Sequence, residues 1–169
     1  MADKITEMVL ALSAQDLDKR HDAEEHLVAT GGDAVLPLIE VLIDGDDGTR
    51  WYASRVLARI GAPAIRPLIL TMVVEQDRQF RRYAAAALGA MGETAVEPLI
   101  EAFSSDDRDF RGFIALALCR IGEPAREPLK RLADEGDEVR KSCARLTLWK
   151  MGEEGITDLV GTLDGGKTT

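Results

Sequence analysis

Residues 77–103 have the sequence "DRQFRRYAAAALGAMGETAVEPLIEAF", and the spacing of its residues predicts the local structure. Apolar residues follow its aspartate after seven, eleven and fourteen positions, and a glycine stands at position fifteen. That spacing places the apolar side chains on one face of an α-helix. Aspartate is a favoured N-cap and glycine a favoured C′ residue. The stretch therefore predicts a helix that ends near Gly92, followed by a shorter helix with Pro98 in its first turn.

The same pattern recurs along the chain. Five aspartates are each followed by a basic residue after four positions, by a leucine after eleven and by a glycine after fifteen. The aspartates are Asp16, Asp46, Asp77, Asp107 and Asp137, and the glycines are Gly31, Gly61, Gly92, Gly122 and Gly152. A period of this length is typical of stacked helical repeats. We predict an all-α fold of five and a half helix–turn–helix repeats without strands, in which the N-terminal "ITEMVLALSAQD" supplies the half repeat.

These residues resemble the HEAT-like repeat family, in the short form found in phycobilisome lyases. Residues 77–103 carry its Asp, aromatic-Arg, Ala-Ala, Leu-Gly-x-Met-Gly and Ala-Val-x-Pro-Leu-Ile signature. The resemblance covers residues 4–163 and implies a right-handed α–α superhelix whose aspartate-led helices line the concave side. It also implies an inter-repeat polar ladder that contains Arg50, Arg81 and Arg111. We expect one solenoid domain over residues 1–163 and a flexible tail over 164–169.

Composition and charge narrow the class of protein. The chain of 169 residues is 46% hydrophobic and 30% charged, which is typical of a folded soluble protein. Its net charge of −9 disfavours nucleic-acid partners. We identify no secretory signal or membrane span. The two cysteines, Cys119 and Cys143, form no metal-binding pattern and favour a cytoplasmic location.

A strip of aromatic and basic residues lies opposite the predicted leucine stripe. We expect it to form one contiguous exposed surface on the helices at 47–60, 78–91 and 108–121. Its residues are Trp51, Tyr52, Arg55, Arg59, Arg82, Tyr83, Phe113 and Arg120. Two interpretations are open: a tolerant face on which arginine stems pack against rings, and a binding surface, which such contiguous surfaces usually mark.

The leading functional hypothesis is a non-catalytic scaffold whose strip binds another protein, through an acidic segment with apolar anchors. The alternative, implied by the resemblance, is a phycobilin-lyase-like subunit that holds a tetrapyrrole on the aromatic residues and pairs its propionates with arginines. A DNA-handling role is the third hypothesis. We predict no catalytic residue and no cofactor, because neither a nucleophile–base pair nor a metal motif is evident.

Three further features carry weaker hypotheses. A row of carboxylates and one histidine on the first aspartate-led helix has the spacing of a metal site. The alternative is a solvated end face in which Glu25 pairs with Arg55. The members of the row are Asp18, His21, Asp22 and Glu25. "GTLDGGKT" at 161–168 matches a phosphate-loop pattern without the following helix that the chemistry needs. Trp149, where other repeats have small residues, is predicted to cover the end of the core.

Overall fold

The computed structural model describes residues 2–152, with side chains from Lys4 onward. This part of the chain folds into ten α-helices and contains no strand. The helices are α1 (Ala2–Ala11), α2 (Leu17–Thr30), α3 (Val35–Asp44), α4 (Asp47–Ile60), α5 (Ala62–Val74), α6 (Arg78–Ala90), α7 (Val96–Ala102), α8 (Arg108–Ile121), α9 (Glu123–Glu135) and α10 (Glu138–Lys150). Short 3-10 turns at Gly31–Ala34 and Gly92–Ala95 lead into α3 and α7. The predicted all-α repeat fold is confirmed.

The helix ends follow the capping pattern of the sequence. Each of the five aspartates is an N-cap whose carboxylate accepts a first-turn backbone N–H; Asp107, for example, accepts from Phe110 N at 3.0 Å. The glycine fifteen residues later has positive φ in every copy, from 69° at Gly31 to 128° at Gly152. Only glycine adopts this backbone readily, and it turns the chain at the end of the helix.

The helices form two layers. The even-numbered helices, which the aspartates lead, pack side by side from α2 to α10, and the odd-numbered helices form the second layer. Each odd-numbered helix from α3 onward packs more extensively against the following helix than against the preceding one. The packed pair is therefore an odd-numbered helix and the aspartate-led helix after it, so α1 and α2 form a complete first pair.

The core fills the space between these layers. Four of the repeat leucines are fully buried, namely Leu27, Leu57, Leu88 and Leu118, and Leu148 in the last described helix is partly buried. The alanines four positions earlier, such as Ala53 and Ala84, are also fully buried. Because a small residue alternates with a large one along each stripe, neighbouring helices approach closely.

The repeat arginines are structural, as the resemblance implied. Four of them donate to a backbone carbonyl at the end of the preceding odd-numbered helix or in the turn after it, namely Arg20, Arg50, Arg81 and Arg111. Those carbonyls have no partner within their own helix. Arg81 also reaches Asp107 of the next repeat, so the ladder between repeats is formed at the centre of the molecule.

The stretch Leu17–Asp44 is long and apolar enough to pass a test for a membrane-spanning helix, which the sequence analysis did not anticipate. It consists of α2, a 3-10 turn and α3, and Gly31 interrupts it with φ of 69°. Its buried residues, including Leu27, Leu38 and Leu42, belong to the core between the layers. Of the most apolar window of this stretch, 33% is buried within the repeat fold.

Several sequence hypotheses concern residues outside the described part of the chain. These are the second helix of the fifth repeat, the tail at 164–169 and the phosphate-loop match at 161–168. Trp149 lies within the described part, and its side chain is 55% exposed. Its cover of the end of the core stays a prediction, because the residues that follow Gly152 lie outside the described part.

Candidate binding cleft

A cleft of about 620 Å³ opens on the layer of aspartate-led helices, between α4, α6 and α8. Six of the eight predicted strip residues line it: Trp51, Arg55, Arg59, Arg82, Tyr83 and Arg120. The other lining residues are small, namely Ser54, Ala58, Ala86, Ala87 and Ala90. Tyr52 and Phe113 are not among its lining residues.

The alternation of large and small residues creates this cleft. Within the repeat pattern, Arg55 on α4, Ala86 on α6 and Leu116 on α8 occupy one position of successive helices. Alanine on the middle helix leaves a depression, whereas the helices on both sides carry long side chains. The sequence predicts the rings and arginines of this face, but not the role of the alanines between them as the floor of a cleft. The run of four alanines at 84–87 was the available signal.

The three rings expected to be solvent-facing are half-buried and pack against the core. Tyr52 accepts a hydrogen bond from Arg20 of the preceding repeat, and the Tyr83 hydroxyl lies 3.2 Å from the carbonyl oxygen of Asp47. The ring of Phe113 lies 5.6 Å from the guanidinium of Arg78. Each ring thus bridges to the repeat before it.

The position of these rings on the helix explains the difference. They stand one residue, about 100° of helix rotation, from the buried alanine or isoleucine position. They consequently lie on the flank that meets the neighbouring helix rather than at the centre of the exposed face. Trp51, by contrast, is 47% exposed and packs edge-on against Tyr52, with ring centroids 4.8 Å apart.

Two of the cleft arginines are neutralised by the first repeat. Arg55 lies 3.5 Å from Glu24, whose side chain is only 6% exposed, and Arg59 lies 2.7 Å from Glu25. The hydrogen bond from Arg59 holds the pKa of Glu25 below its usual range. The predicted pair of Glu25 with Arg55 was wrong: Glu25 binds Arg59, and the buried Glu24 is the partner of Arg55.

Arg82 and Arg120 form no ion pair with any residue in 4–152. Arg82 lies over the Tyr83 ring, with 5.4 Å from its guanidinium carbon to the ring centroid. The stem of Arg120 packs against Gly89, where an added Cβ would lie 2.7 Å from Arg120 Cδ. Both guanidiniums remain exposed at the cleft, which therefore has positive charge in a protein of net charge −9.

The other candidate chemistry is accounted for differently. Among residues 4–152 no group of three or more histidine, cysteine or acidic side chains is arranged to hold a metal ion, and Glu25 of the proposed metal row is engaged with Arg59. Burial raises the pKa of the Cys119 thiol, and its Sγ lies 3.8 Å from the Thr147 carbonyl oxygen. Cys119 thus resembles a packed thiol more than a nucleophile.

Comparison with known families identifies the architecture. A family model for HEAT repeats matches residues 35–111 and again residues 74–149, which together make up more than half of the chain. The chain belongs to the HEAT repeat family. Two matches that overlap along one chain are expected of a repeat array whose units are alike.

The chain is also similar to several solved structures. One is the complex of CpcE and CpcF of phycocyanin lyase from Nostoc sp. PCC7120, at 21% identity and a TM-score of 0.44 over 88% of this chain and 99% of that one. Another is a designed armadillo repeat protein, at 18% identity and a TM-score of 0.33 over 93% of this chain and 87% of that one. The comparison with curated proteins gave no match. The HEAT repeat assignment therefore rests on the family model and on the helical layers.

Proposed function

We propose that this protein is a non-catalytic scaffold that binds a segment of another protein in the cleft between α4, α6 and α8. The observation that supports the proposal is the combination of exposed Trp51, half-buried Tyr83 and two arginines that form no ion pair within residues 4–152, around an alanine floor. Tryptophan, tyrosine and arginine are the residues most enriched among interface hot spots.

The chemistry of the cleft defines the segment that it fits. Arg82 and Arg120 attract carboxylates, while Trp51 and the floor at Ala86 and Ala90 accept an apolar or aromatic side chain. The partner is consequently an acidic segment with apolar anchors. Since Arg55 and Arg59 are already paired with Glu24 and Glu25, Arg82 and Arg120 contribute most of the attraction.

Affinity capture with matched variants tests this function. The protein is immobilised and exposed to extract from its source as wild type, as Trp51→Ala and as Arg82→Glu. We expect one protein to be retained by the wild type and lost with both variants. Arg78→Ala is the control, because Arg78 lies on the same helix, is 75% exposed and lies outside the cleft. Equal retention by all four proteins would contradict the proposal.

A second candidate ligand is a linear tetrapyrrole, because a planar anionic molecule also suits rings beside Arg82 and Arg120. Mixing the protein with a bilin and recording its visible absorption separates the two candidates. A spectral change that is lost in Arg82→Ala and retained in Arg78→Ala would favour the tetrapyrrole. An unchanged spectrum together with a captured protein partner would favour the scaffold.

A further inference from the structure

The cleft surface continues beyond Arg120 as an apolar shelf on α8 and α10. Leu116 is 51% exposed and stands four residues before Arg120 on α8. Leu146 is 60% exposed and stands four residues before Lys150 on α10. Residues four apart lie on the same helix face, so each helix presents a leucine and a basic residue one turn apart.

These side chains form two rows that cross the helices. Leu116 and Leu146 occupy the same position of successive repeats, as do Arg120 and Lys150, and α8 packs directly against α10. Neither Arg120 nor Lys150 forms an ion pair within residues 4–152. An apolar row therefore runs beside a basic row.

The spacing of the rows selects the conformation of a ligand. Packed helices lie about 8–10 Å apart, so the two leucines are separated by about that distance. Seven residues of α-helix rise about 10.5 Å and return to the same face. Three residues of extended chain cover the same distance, but successive side chains then point to opposite sides, and two anchors three residues apart face away from each other.

We infer that the partner segment is an acidic amphipathic α-helix that lies across α8 and α10. Its apolar residues, seven apart, contact Leu116 and Leu146, and its carboxylates face Arg120 and Lys150. An amphipathic helix laid on an apolar groove is a recurring mode of peptide recognition. The inference rests on the proposed function, because the helix is the conformation that we assign to the partner segment whose carboxylates reach the cleft.

Two synthetic peptides of identical composition test the inference. One carries leucines seven apart in a glutamate- and alanine-rich helix, and the other has the same residues reordered so that its leucines are three apart. Each is labelled with fluorescein and titrated with the full chain, with binding measured by anisotropy. We expect the peptide with seven-residue spacing to bind at least about tenfold more tightly, because only its leucines lie about 10.5 Å apart on one helix face, far enough to contact both Leu116 and Leu146.

Variants of the shelf complete the test. Leu116→Ser and Leu146→Ser should each weaken binding of that peptide by about tenfold, without unfolding, because both side chains are already exposed. Leu36→Ser, at an exposed leucine of α3 in the other layer, is the control and should leave the affinity unchanged.

The outcomes separate this inference from the proposed function. The helical binding mode would be contradicted by any of three results: equal affinity of the two peptides, unchanged affinity of both shelf variants, or no binding of either peptide up to millimolar concentration. If Trp51→Ala and Arg82→Glu still abolished capture of a partner, the cleft proposal would stand without it. Conversely, binding that depends on Leu116 and Leu146 but not on Trp51 or Arg82 would support the shelf and contradict the cleft.

Discussion

Arg81 joins the third repeat to the fourth: its Nη2 donates to Asp107 Oδ2 at 2.7 Å, although the Arg81 side chain is only 1% exposed. The same guanidinium donates through Nε to the carbonyls of Met72 and Glu75. One buried side chain on α6 therefore binds the end of α5, the residue that follows α5 and the N-cap of α8.

Replacing this residue tests the polar ladder. Arg81→Ala should lower the free energy of unfolding by about 2–4 kcal/mol, because it leaves two carbonyls and a carboxylate without their donor. Urea denaturation followed by circular dichroism gives the value. Arg78 lies on the same helix as Arg81 and forms an exposed ion pair with Asp109 of α8. Arg78→Ala removes this pair and should lower the free energy of unfolding by less than about 1 kcal/mol. Similar losses for the two variants would contradict the structural role assigned to Arg81.

The decrease in the free energy of unfolding at acid pH depends in part on the Asp107 carboxylate. The N–H of Phe110 and then the Arg81 guanidinium hold the pKa of Asp107 below its usual range. This carboxylate therefore contributes stability above its unfolded pKa of about 3.9, and the contribution is lost as pH falls through the lower folded pKa. Asp107→Asn keeps a capping oxygen but not the charge. We expect it to be less stable than the wild type at pH 7 and equally stable well below pH 3.9; a constant difference between these pH values would refute this explanation.

Packing between α6 and α8 depends on Gly89. An added Cβ there would lie 2.8 Å from Arg120 Cβ, which cannot move without the backbone. Gly89→Ala should therefore destabilise the protein by about 1–3 kcal/mol despite the higher helix propensity of alanine. Gly112→Ala, inside α8 with nothing within 4 Å of its added Cβ, should instead stabilise it by about 0.5–1 kcal/mol. Thermal unfolding of both variants checks the opposite signs, and a stabilised Gly89→Ala protein would show that the helices are not in close contact.

The buried leucines of the repeats contribute strongly to the free energy of unfolding. Leu88 is fully buried in the central repeat, so Leu88→Ala should cost about 2–5 kcal/mol. Leu116→Ala, at a half-exposed leucine of the next helix, should cost less than about 1 kcal/mol. The denaturation midpoints of the two variants measure the contrast, and equal midpoints would argue against the layered core.

Local signals predicted the fold, and they did so because capping and helix periodicity act within a single turn. The aspartate N-caps, the positive-φ glycines and the buried leucines all depend on residues close in sequence. The role of Tyr83 could not be predicted in the same way. A helical wheel gives its angle on α6 but not the position of α4, whose Asp47 carbonyl contacts its hydroxyl.

The candidate site was predicted only in part for the same reason. The aromatic and basic residues were visible in the repeat alignment, but their pairing depends on the register between helices. Glu24 lies one position from the predicted exposed row, is buried, and contacts Arg55 and Arg59 of the next repeat. Because of that register, only two of the four cleft arginines, Arg82 and Arg120, form no ion pair with a described residue.

The central claim is that the cleft at Trp51 binds an acidic ligand with apolar anchors, and the indole N–H signal of Trp51 tests it most directly. The full chain is labelled with ¹⁵N and titrated with the acidic peptide whose leucines are seven residues apart. The chain has two tryptophans, and a Trp51→Phe variant assigns the two indole signals. We predict a saturable shift of the Trp51 indole together with the amides of Arg82, Ala86 and Ala90. An unchanged Trp51 signal at saturation would contradict this claim, whether the other shifts lie on α8 and α10 or on α3, α5 and α7.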